Sequence, residues 1–151
     1  MPVAESHKEL RFTRSRQGAG FAVAAAMLAI TGLLFFLLAN YRTENPALPH
    51  PAWGCLPLAL AAVCAWVSIH CIRHVYLLLS PIGIEIFPFY LPSTGLNVIP
   101  WAQIAAVEID HSRLTLHFNA EKTSGIHLSL APIPSDRRAL LVTAIEGRFS
   151  R

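Results

Sequence analysis

Two long apolar blocks limit what this chain can fold into more than any other feature of its sequence. The first, Gly18 to Ala39, carries no charged residue, and as a helix rising about 1.5 Å per residue it covers the roughly 30 Å hydrocarbon core of a bilayer. The second, Trp53 to Ile72, is uncharged when His70 is neutral, and the indole of Trp53 suits the membrane interface. Because 54% of the residues are hydrophobic and 14% charged, we predict a membrane hairpin of two transmembrane helices, at 18–39 and 53–74.

A cleavable signal peptide is the alternative for the first block, since Lys8, Arg11, Arg14 and Arg16 precede it. The block is longer than the apolar region of a signal peptide, which spans about 7–15 residues. Its last residues, Leu37-Leu38-Ala39, also lack a small residue at the first position of a cleavage site. We therefore expect an uncleaved membrane anchor.

Lysine and arginine are distributed unevenly around the two blocks. Four precede the first block, within a basic segment 1–17; Arg73 directly follows the second; and the connector 40–52 holds only Arg42. By the positive-inside rule, segment 1–17 and the region 75–151 are cytoplasmic and the connector is a short external loop. The sequence thus predicts a multi-pass membrane protein whose N- and C-termini are both cytoplasmic.

The net charge of +3 belongs to the segments that flank the membrane. From residue 75 onward, six Lys and Arg balance six Asp and Glu, so the high pI requires no nucleic-acid partner. All three cysteines, Cys55, Cys64 and Cys71, fall in the second block. An odd number of thiols in an apolar helix indicates small buried side chains rather than a disulfide framework or a four-ligand zinc site.

After His74 the hydrophobic pattern changes to alternation with period two, which is typical of half-buried strands. Candidate strands are VYLLLS (75–80), GIEIF (83–87), residues 96–100, residues 106–110, SRLTLHFN (112–119) and GIHLSL (125–130). An amphipathic helix is predicted from about 135 to 147, with Leu141 and Ile145 four residues apart and Gly147 at its end. Region 75–151 is therefore expected to be a small α+β domain, an antiparallel sheet of five or six strands closed by a C-terminal helix.

The last two candidate strands suggest a hairpin with one buried face. Pairing residues whose numbers sum to 244 places Leu116 opposite Leu128 and His117 opposite His127, and sorts apolar and polar side chains onto separate faces. A slip of two residues preserves the same faces, so that register remains open.

Small residues recur in both apolar blocks. Gly18, Ala22 and Ala26 are spaced by four in the first block, and Ala61 and Ala65 are spaced by four in the second. Small side chains let membrane helices approach closely, so we expect the two helices to pack on each other, although the same surface could serve a partner.

Two short motifs follow the apolar blocks: SPIGIEI (80–86) and VIPWAQI (98–104), the latter followed by Val107 and Ile109. Together with the two preceding spans, these motifs resemble a family of bacterial inner-membrane proteins with a C-terminal pleckstrin-homology-like (PH-like) domain. The resemblance implies a half-open, strongly bent antiparallel sheet capped by the C-terminal helix. Family members often carry acidic residues after the tryptophan, where this chain has Ala102-Gln103.

Inositol-phosphate binding is a familiar expectation for such folds, through basic residues in the loop between the first two strands. In the predicted arrangement that loop is Ser80 to Gly83, which contains no Lys or Arg to neutralise phosphate. The sequence therefore argues against phosphoinositide binding.

The sequence predicts no enzyme and no cofactor. Asp110-His111-Ser112 holds the residue types of a hydrolytic triad, but three consecutive side chains cannot adopt the relay geometry, and a turn is expected there. Glu108 and Asp110 share a strand face, and we interpret them as solvated carboxylates rather than an acid–base pair. No phosphate-binding loop, nucleophile elbow or zinc-protease motif is present.

Two histidine pairs leave metal binding or pH sensing as alternatives. His70 and His74 are four residues apart at the end of the second block, and His117 faces His127 in the predicted hairpin. Interfacial histidines beside Arg73 and exposed histidines on a strand pair are the simpler interpretations, so we predict no metal site.

The expected function is non-catalytic: the cytoplasmic domain binds a membrane protein partner or other copies of the chain at the bilayer. The residues expected to serve this interaction are Trp101, Glu108, Asp110, His117 and His127. A small immunity protein against a membrane-acting toxin is one alternative, suggested by size and two-span design. An accessory subunit of a transporter is another, although neither block contains the charged residue that ion pathways commonly need.

Overall fold

The computed structural model describes residues 9–89, 97–110 and 112–149. The chain divides into two compact units: Gln17–Cys71, and the residues before and after that segment. The loop predicted at 90–95, the strand residue Leu96 and His111 lie outside the described residues.

The first unit is helical. Helices α1 (Ser15–Ala39) and α2 (Cys55–Arg73) occupy the two apolar blocks, and a 3-10 turn, Pro51–Gly54, precedes α2. His50 begins this turn, because its Nδ1 accepts a hydrogen bond of 3.2 Å from the backbone N–H of Ala52. Both helical segments are long and apolar enough to cross a membrane, as the sequence predicts.

The two helices pack on each other through small residues. A Cβ on Gly32 would lie 2.6 Å from Cγ of Leu58, and one on Gly54 would lie 3.0 Å from the carbonyl oxygen of Gly32. The Ser68 hydroxyl donates a hydrogen bond of 2.8 Å to the carbonyl of Gly18. The predicted helix hairpin therefore forms through positions where a side chain would block the approach.

The residues at this helix contact differ in part from the predicted stripe. Gly18 and Ala61 are buried, but Ala22 and Ala26 are exposed. The second helical segment buries Gly54, Ala61, Ser68 and Cys71, and the first three of these recur every seven residues. A seven-residue repeat keeps one seam in contact along two helices that cross at a small angle, whereas a four-residue spacing moves around the helix surface.

The second unit contains a four-stranded antiparallel sheet, in which the strands lie in chain order. Its strands are β1 (Leu10–Thr13), β2 (Val75–Leu79), β3 (Gly83–Ile86) and β4 (Asn97–Pro100). At Gly83 the sheet is so tight that a Cβ would lie 2.1 Å from the carbonyl oxygen of Ile99. Glycine is therefore required where β3 begins beside β4.

Strand β1 is an element that the sequence did not predict within the basic segment 1–17. Leu10 pairs with Leu79 and Phe12 with Leu77, and the Phe12 side chain is almost completely buried. Two consequences follow. In the described residues, region 75–151 contributes six strands, within the predicted five or six, and β1 adds a seventh. The first two strands are joined by the helical hairpin rather than by Ser80 to Gly83, which connects β2 to β3.

A three-stranded antiparallel sheet follows, formed by β5 (Ala106–Asp110), β6 (Arg113–His117) and β7 (Gly125–Ser129). Leu114 pairs with Leu128 and Leu116 with Ile126, so the pair numbers sum to 242 and not to 244. The alternative register, slipped by two residues, is thus the one adopted. The inward and outward faces are as predicted, because a slip of two leaves them unchanged.

One hydrophobic core lies between the two sheets and the C-terminal helix. Fully buried side chains come from all three: Leu77 and Ile84 from the first sheet, Leu116 from the second, and Leu141 and Ile145 from α3 (Ser135–Phe149). The predicted closing helix is confirmed, but it continues through Gly147 instead of ending there. Gly147 has no positive φ, so it is not the left-handed cap that the sequence suggested.

Tyr76 connects the two sheets. Its ring is buried, and its hydroxyl donates a hydrogen bond of 3.0 Å to the backbone carbonyl of Ser129 in β7. The Arg14 guanidinium lies 4.2 Å from the centre of the ring. Burial raises the pKa of the Tyr76 phenol, and the nearby Arg14 charge opposes that rise.

Candidate interaction surface

Four of the five residues predicted for an interaction share one face of the second sheet. Because strand side chains alternate, Glu108 and Asp110 of β5, His117 of β6 and His127 of β7 point away from the core. Thr115 lies on the same face, paired with Glu108 on one side and His127 on the other. We refer to these five residues as the outer face.

Glu108 is the centre of the charged contacts on the outer face. Its Oε1 lies 2.9 Å from Nζ of Lys122, and its Oε2 lies 3.4 Å from Nε2 of His117. The hydrogen bond from Lys122, followed by that from His117, lowers the pKa of the Glu108 carboxyl. The carboxylate form is therefore favoured, and it ties the β6–β7 turn to β5.

Lys122 was not among the predicted residues, because its role depends on the shape of that turn. The Asn119 Oδ1 accepts hydrogen bonds of 3.1 and 3.2 Å from the backbone N–H groups of Thr123 and Ser124. Among the described residues, Lys122 is the one non-glycine residue with a positive φ, 56°. The sequence signal was Asn119, since asparagine favours such turns by bonding to nearby backbone.

His117 belongs to the outer face but is not accessible there. Its side chain is only 9% exposed, since Gly125 lies directly opposite and a Cβ on Gly125 would be 3.3 Å from the ring Nδ1. Within the described part of the chain, Nδ1 of His117 is buried without a hydrogen-bond partner. His117 thus supports the sheet rather than offering a surface for docking.

The predicted pairing of His117 with His127 is wrong, because the register differs by two residues. His127 is instead opposite Thr115, with the Thr115 hydroxyl 2.9 Å from Nδ1 of His127. His127 is exposed, and so is Asp110 at the end of β5. These two side chains, with Glu108 and the neighbouring Lys122, provide accessible polar groups on and beside the outer face.

Trp101 does not join the outer face. It lies in a 3-10 turn directly after β4, where its ring packs against the core and its Nε1–H donates a hydrogen bond of 3.0 Å to the carbonyl of Ser80. The Arg148 guanidinium stacks 5.1 Å from the ring centre and donates to the same carbonyl at 3.1 Å. Partial burial lowers the pKa of Arg148. Trp101 therefore joins the end of α3 to the β2–β3 turn.

The candidate metal ligands do not assemble into a site. In residues 9–89, 97–110 and 112–149, no group of three His, Cys, Asp or Glu side chains has a geometry able to hold a metal ion. His70 stacks on Trp66, with ring centroids 5.7 Å apart. The outer face provides polar contacts and one compact charged pair rather than a coordination site.

The free edge of the second sheet adjoins the outer face. Among the described strands, β7 pairs with β6 on one side only, and four of its five residues are exposed, including the apolar Ile126. Of its backbone groups, the Ser129 carbonyl already accepts the hydrogen bond from Tyr76. An unpaired strand presents backbone N–H and C=O groups to any extended segment that approaches.

No family model, characterised protein or solved structure matches this chain.

Proposed function

We propose that this chain is a non-catalytic protein of the bacterial inner membrane whose cytoplasmic PH-like domain binds another protein, or a second copy of itself, at the membrane. The observation that carries the proposal is the free β7 edge beside the exposed polar groups of the outer face. Strand addition at such an edge supplies backbone hydrogen bonds, and neighbouring side chains supply specificity.

The arrangement of strands supports the PH-like assignment. Two antiparallel sheets enclose one core, and a single C-terminal helix packs against it with Leu141, Ala144 and Ile145. The closing helix is as the resemblance of the motifs at 80–86 and 98–104 implies, whereas the single bent sheet it implies is replaced by two sheets around a shared core. The helical hairpin between β1 and β2 is a departure from the predicted order, in which both spans precede the domain.

Strand pairing also supports a two-span membrane topology. Strand β1 comes before both apolar helices and β2 comes after both, yet the two strands pair in one sheet. Because a sheet forms in a single compartment, any membrane crossings between Thr13 and Val75 have to be even in number. Two apolar helices satisfy this requirement, and the positive-inside rule assigns the domain to the cytoplasm.

Compartment reporters test this topology. A small reporter tag inserted after Pro49 is expected to be external, and the same tag inserted after Glu121, in the exposed β6–β7 turn, is expected to be cytoplasmic. Both tags on the same side of the membrane would contradict the proposal.

Photo-crosslinking in native membranes tests the interaction. A photoreactive residue at His127, which is exposed on the outer face, is expected to give one discrete adduct. The matched control is Thr143, which is exposed on α3. An adduct of twice the 16.6 kDa chain mass indicates a second copy, and another discrete mass indicates a different partner. No adduct at His127, or the same adducts at both positions, would sink the proposal.

A further inference from the structure

A cleft of about 340 Å³ opens where β1 leads into α1 and where the chain enters α3. The residues that line it are Arg11, Phe12, Thr13, Ser15, Ile133, Pro134 and Arg137. They come from the two ends of the domain sequence, so only folding brings them together. Two of them are arginines, and no acidic side chain is among them.

The two arginines keep most of their hydrogen-bonding capacity. The Arg11 guanidinium lies 3.4 Å from the Glu9 carboxylate, and the Arg137 guanidinium lies 3.9 Å from that of Asp136. Both contacts are long, and both arginine side chains are more than 60% exposed, at 67% and 63%. Because a guanidinium carries several N–H donors in a planar fork, each arginine can still bind phosphate through two donors.

The wall of the cleft that precedes α3 is held in place by hydrogen bonds. Arg138 donates from Nε to the carbonyl of Ile133 at 2.8 Å and from Nη2 to that of Ala131 at 3.3 Å. The backbone N–H of Arg16 donates to the carbonyl of Pro132 at 3.2 Å. The cleft is therefore formed before a ligand arrives, which lowers the ordering cost of binding.

If the chain is placed in the membrane as proposed above, the cleft lies where the chain enters the bilayer. Ser15 lines the cleft and is also the first residue of α1, which has 25 residues. A helix of that length spans about 37 Å, more than the roughly 30 Å of hydrocarbon. Since the apolar block begins at Gly18, the first turn of α1 is expected among the lipid headgroups, together with the cleft.

We propose that this cleft binds the phosphate of an anionic phospholipid from the cytoplasmic leaflet, with Arg11 and Arg137 as its ligands. A headgroup lies at the depth of the cleft and at high local concentration, whereas a soluble anion has no such advantage. Each basic residue near an anionic membrane surface strengthens binding about fivefold, so the pair is expected to contribute about thirtyfold. The site includes residues of β1. It is separate from the neutral Ser80 to Gly83 loop, where inositol-phosphate binding would have been expected from the sequence.

Native mass spectrometry of the delipidated full chain in mild detergent tests this site. Wild-type chain is expected to retain phosphatidylglycerol in preference to phosphatidylcholine. The double variant Arg11→Gln/Arg137→Gln is expected to lose about thirtyfold in phosphatidylglycerol affinity, and Arg11→Lys/Arg137→Lys to lose less because it keeps both charges. The matched control is Arg113→Gln, which removes an exposed arginine outside the cleft.

Several results would overturn the proposal. They are equal retention of the two lipids, unchanged affinity in the double variant, and an equal loss in the Arg113→Gln control. A fourth is full displacement of phosphatidylglycerol by millimolar inorganic phosphate, since that would identify a site for free anions. Arg137→Gln alone, at an exposed position in the first turn of α3, provides a reduced but measurable loss should the double variant fold poorly.

Failure of this proposal can be told apart from failure of the proposed function. A chain that resists extraction from membranes by high salt, yet shows no lipid preference, contradicts only the cleft. A chain recovered in the soluble fraction without detergent contradicts the membrane placement itself. Crosslinking at His127 is expected to be unchanged in the double variant, because neither arginine belongs to the outer face.

Discussion

At the scale of single residues, two glycines have opposite roles. Gly83 is required, because a Cβ there would lie 2.1 Å from a backbone oxygen of the neighbouring strand. Gly147 is exposed within α3 and has nothing within 4 Å of its Cβ position. Gly83→Ala is expected to lower the free energy of unfolding by at least about 2 kcal/mol, since the β3–β4 backbone must shift.

Gly147→Ala is the matched substitution, and it is expected to raise the free energy of unfolding by about 0.5–1 kcal/mol, because glycine is unfavourable inside a helix. Thermal unfolding of the full chain in detergent, followed by near-ultraviolet circular dichroism, checks both variants; about 1 kcal/mol corresponds to a shift of about 4–8 °C in a domain of this size. A stable Gly83→Ala variant would contradict the close strand approach at that position.

The Glu108 carboxylate predicts a pH dependence. Lys122 and then His117 lower its pKa below the ordinary value of 4.5, so the stabilisation is present above about pH 4.5 and is lost as the pH falls through the lower, folded-state pKa. Glu108→Gln is therefore expected to reduce the loss of thermal stability between pH 5 and more acidic conditions. Glu121→Gln, which removes one negative charge from the β6–β7 turn beside Lys122, is the control; a Glu108→Gln profile that matches wild type would refute this role.

At the scale of elements, β1 is the clearest addition to what the sequence predicts. Its second residue, Arg11, is exposed, Leu10 and Thr13 are half-buried, and Phe12 is 2% exposed within the core. Because large buried aromatic side chains typically contribute about 3–5 kcal/mol relative to alanine, Phe12→Ala is expected to destabilise the domain that contains β1 by that amount.

Arg11→Ala is the matched control, since Arg11 is exposed on the same strand and its removal is expected to change stability by no more than about 0.5 kcal/mol. Thermal unfolding of both variants in detergent provides the measurement. Equal stability of the two variants would mean that β1 does not belong to the folded sheet.

At the scale of the whole molecule, the domain is discontinuous in sequence. The Cα atoms of Thr13 and Val75 are paired across the sheet, although the whole helical hairpin lies between them. Such partners are about 4.5–5.5 Å apart, a gap that a short turn can bridge. A chain in which a three- or four-residue Gly/Ser linker replaces residues 15–74 is thus expected to fold as a soluble domain.

A chain that contains only residues 75–149 is expected to remain unfolded, because it lacks β1 and leaves Leu77 and Leu79 uncovered. Amide chemical-shift dispersion in nuclear magnetic resonance spectra distinguishes the two chains. A well-dispersed spectrum from residues 75–149 alone would show that β1 is dispensable.

Much of this architecture was determined by the sequence itself. The length of the apolar blocks and the absence of charge within them predict the two helices, since hydrocarbon tolerates few charges over about 30 Å. Alternation with period two located six of the seven strands found in the described part of the chain, because it depends only on neighbouring residues. The closing helix around Leu141 and Ile145 was predicted for the same reason, from a local pattern of 3.6 residues.

Tertiary structure decided what depends on residues distant in the chain. Leu10 to Thr13 is too short for its alternation to stand out among basic residues, and only pairing with β2 makes it a strand. Both hairpin registers separate the two faces equally well, so the residue pattern does not distinguish them. The turn geometry at Asn119 determines the register and places His117 opposite Gly125. The Arg11–Arg137 cleft likewise exists only after folding, because long-range contacts are set by packing and not by local pattern.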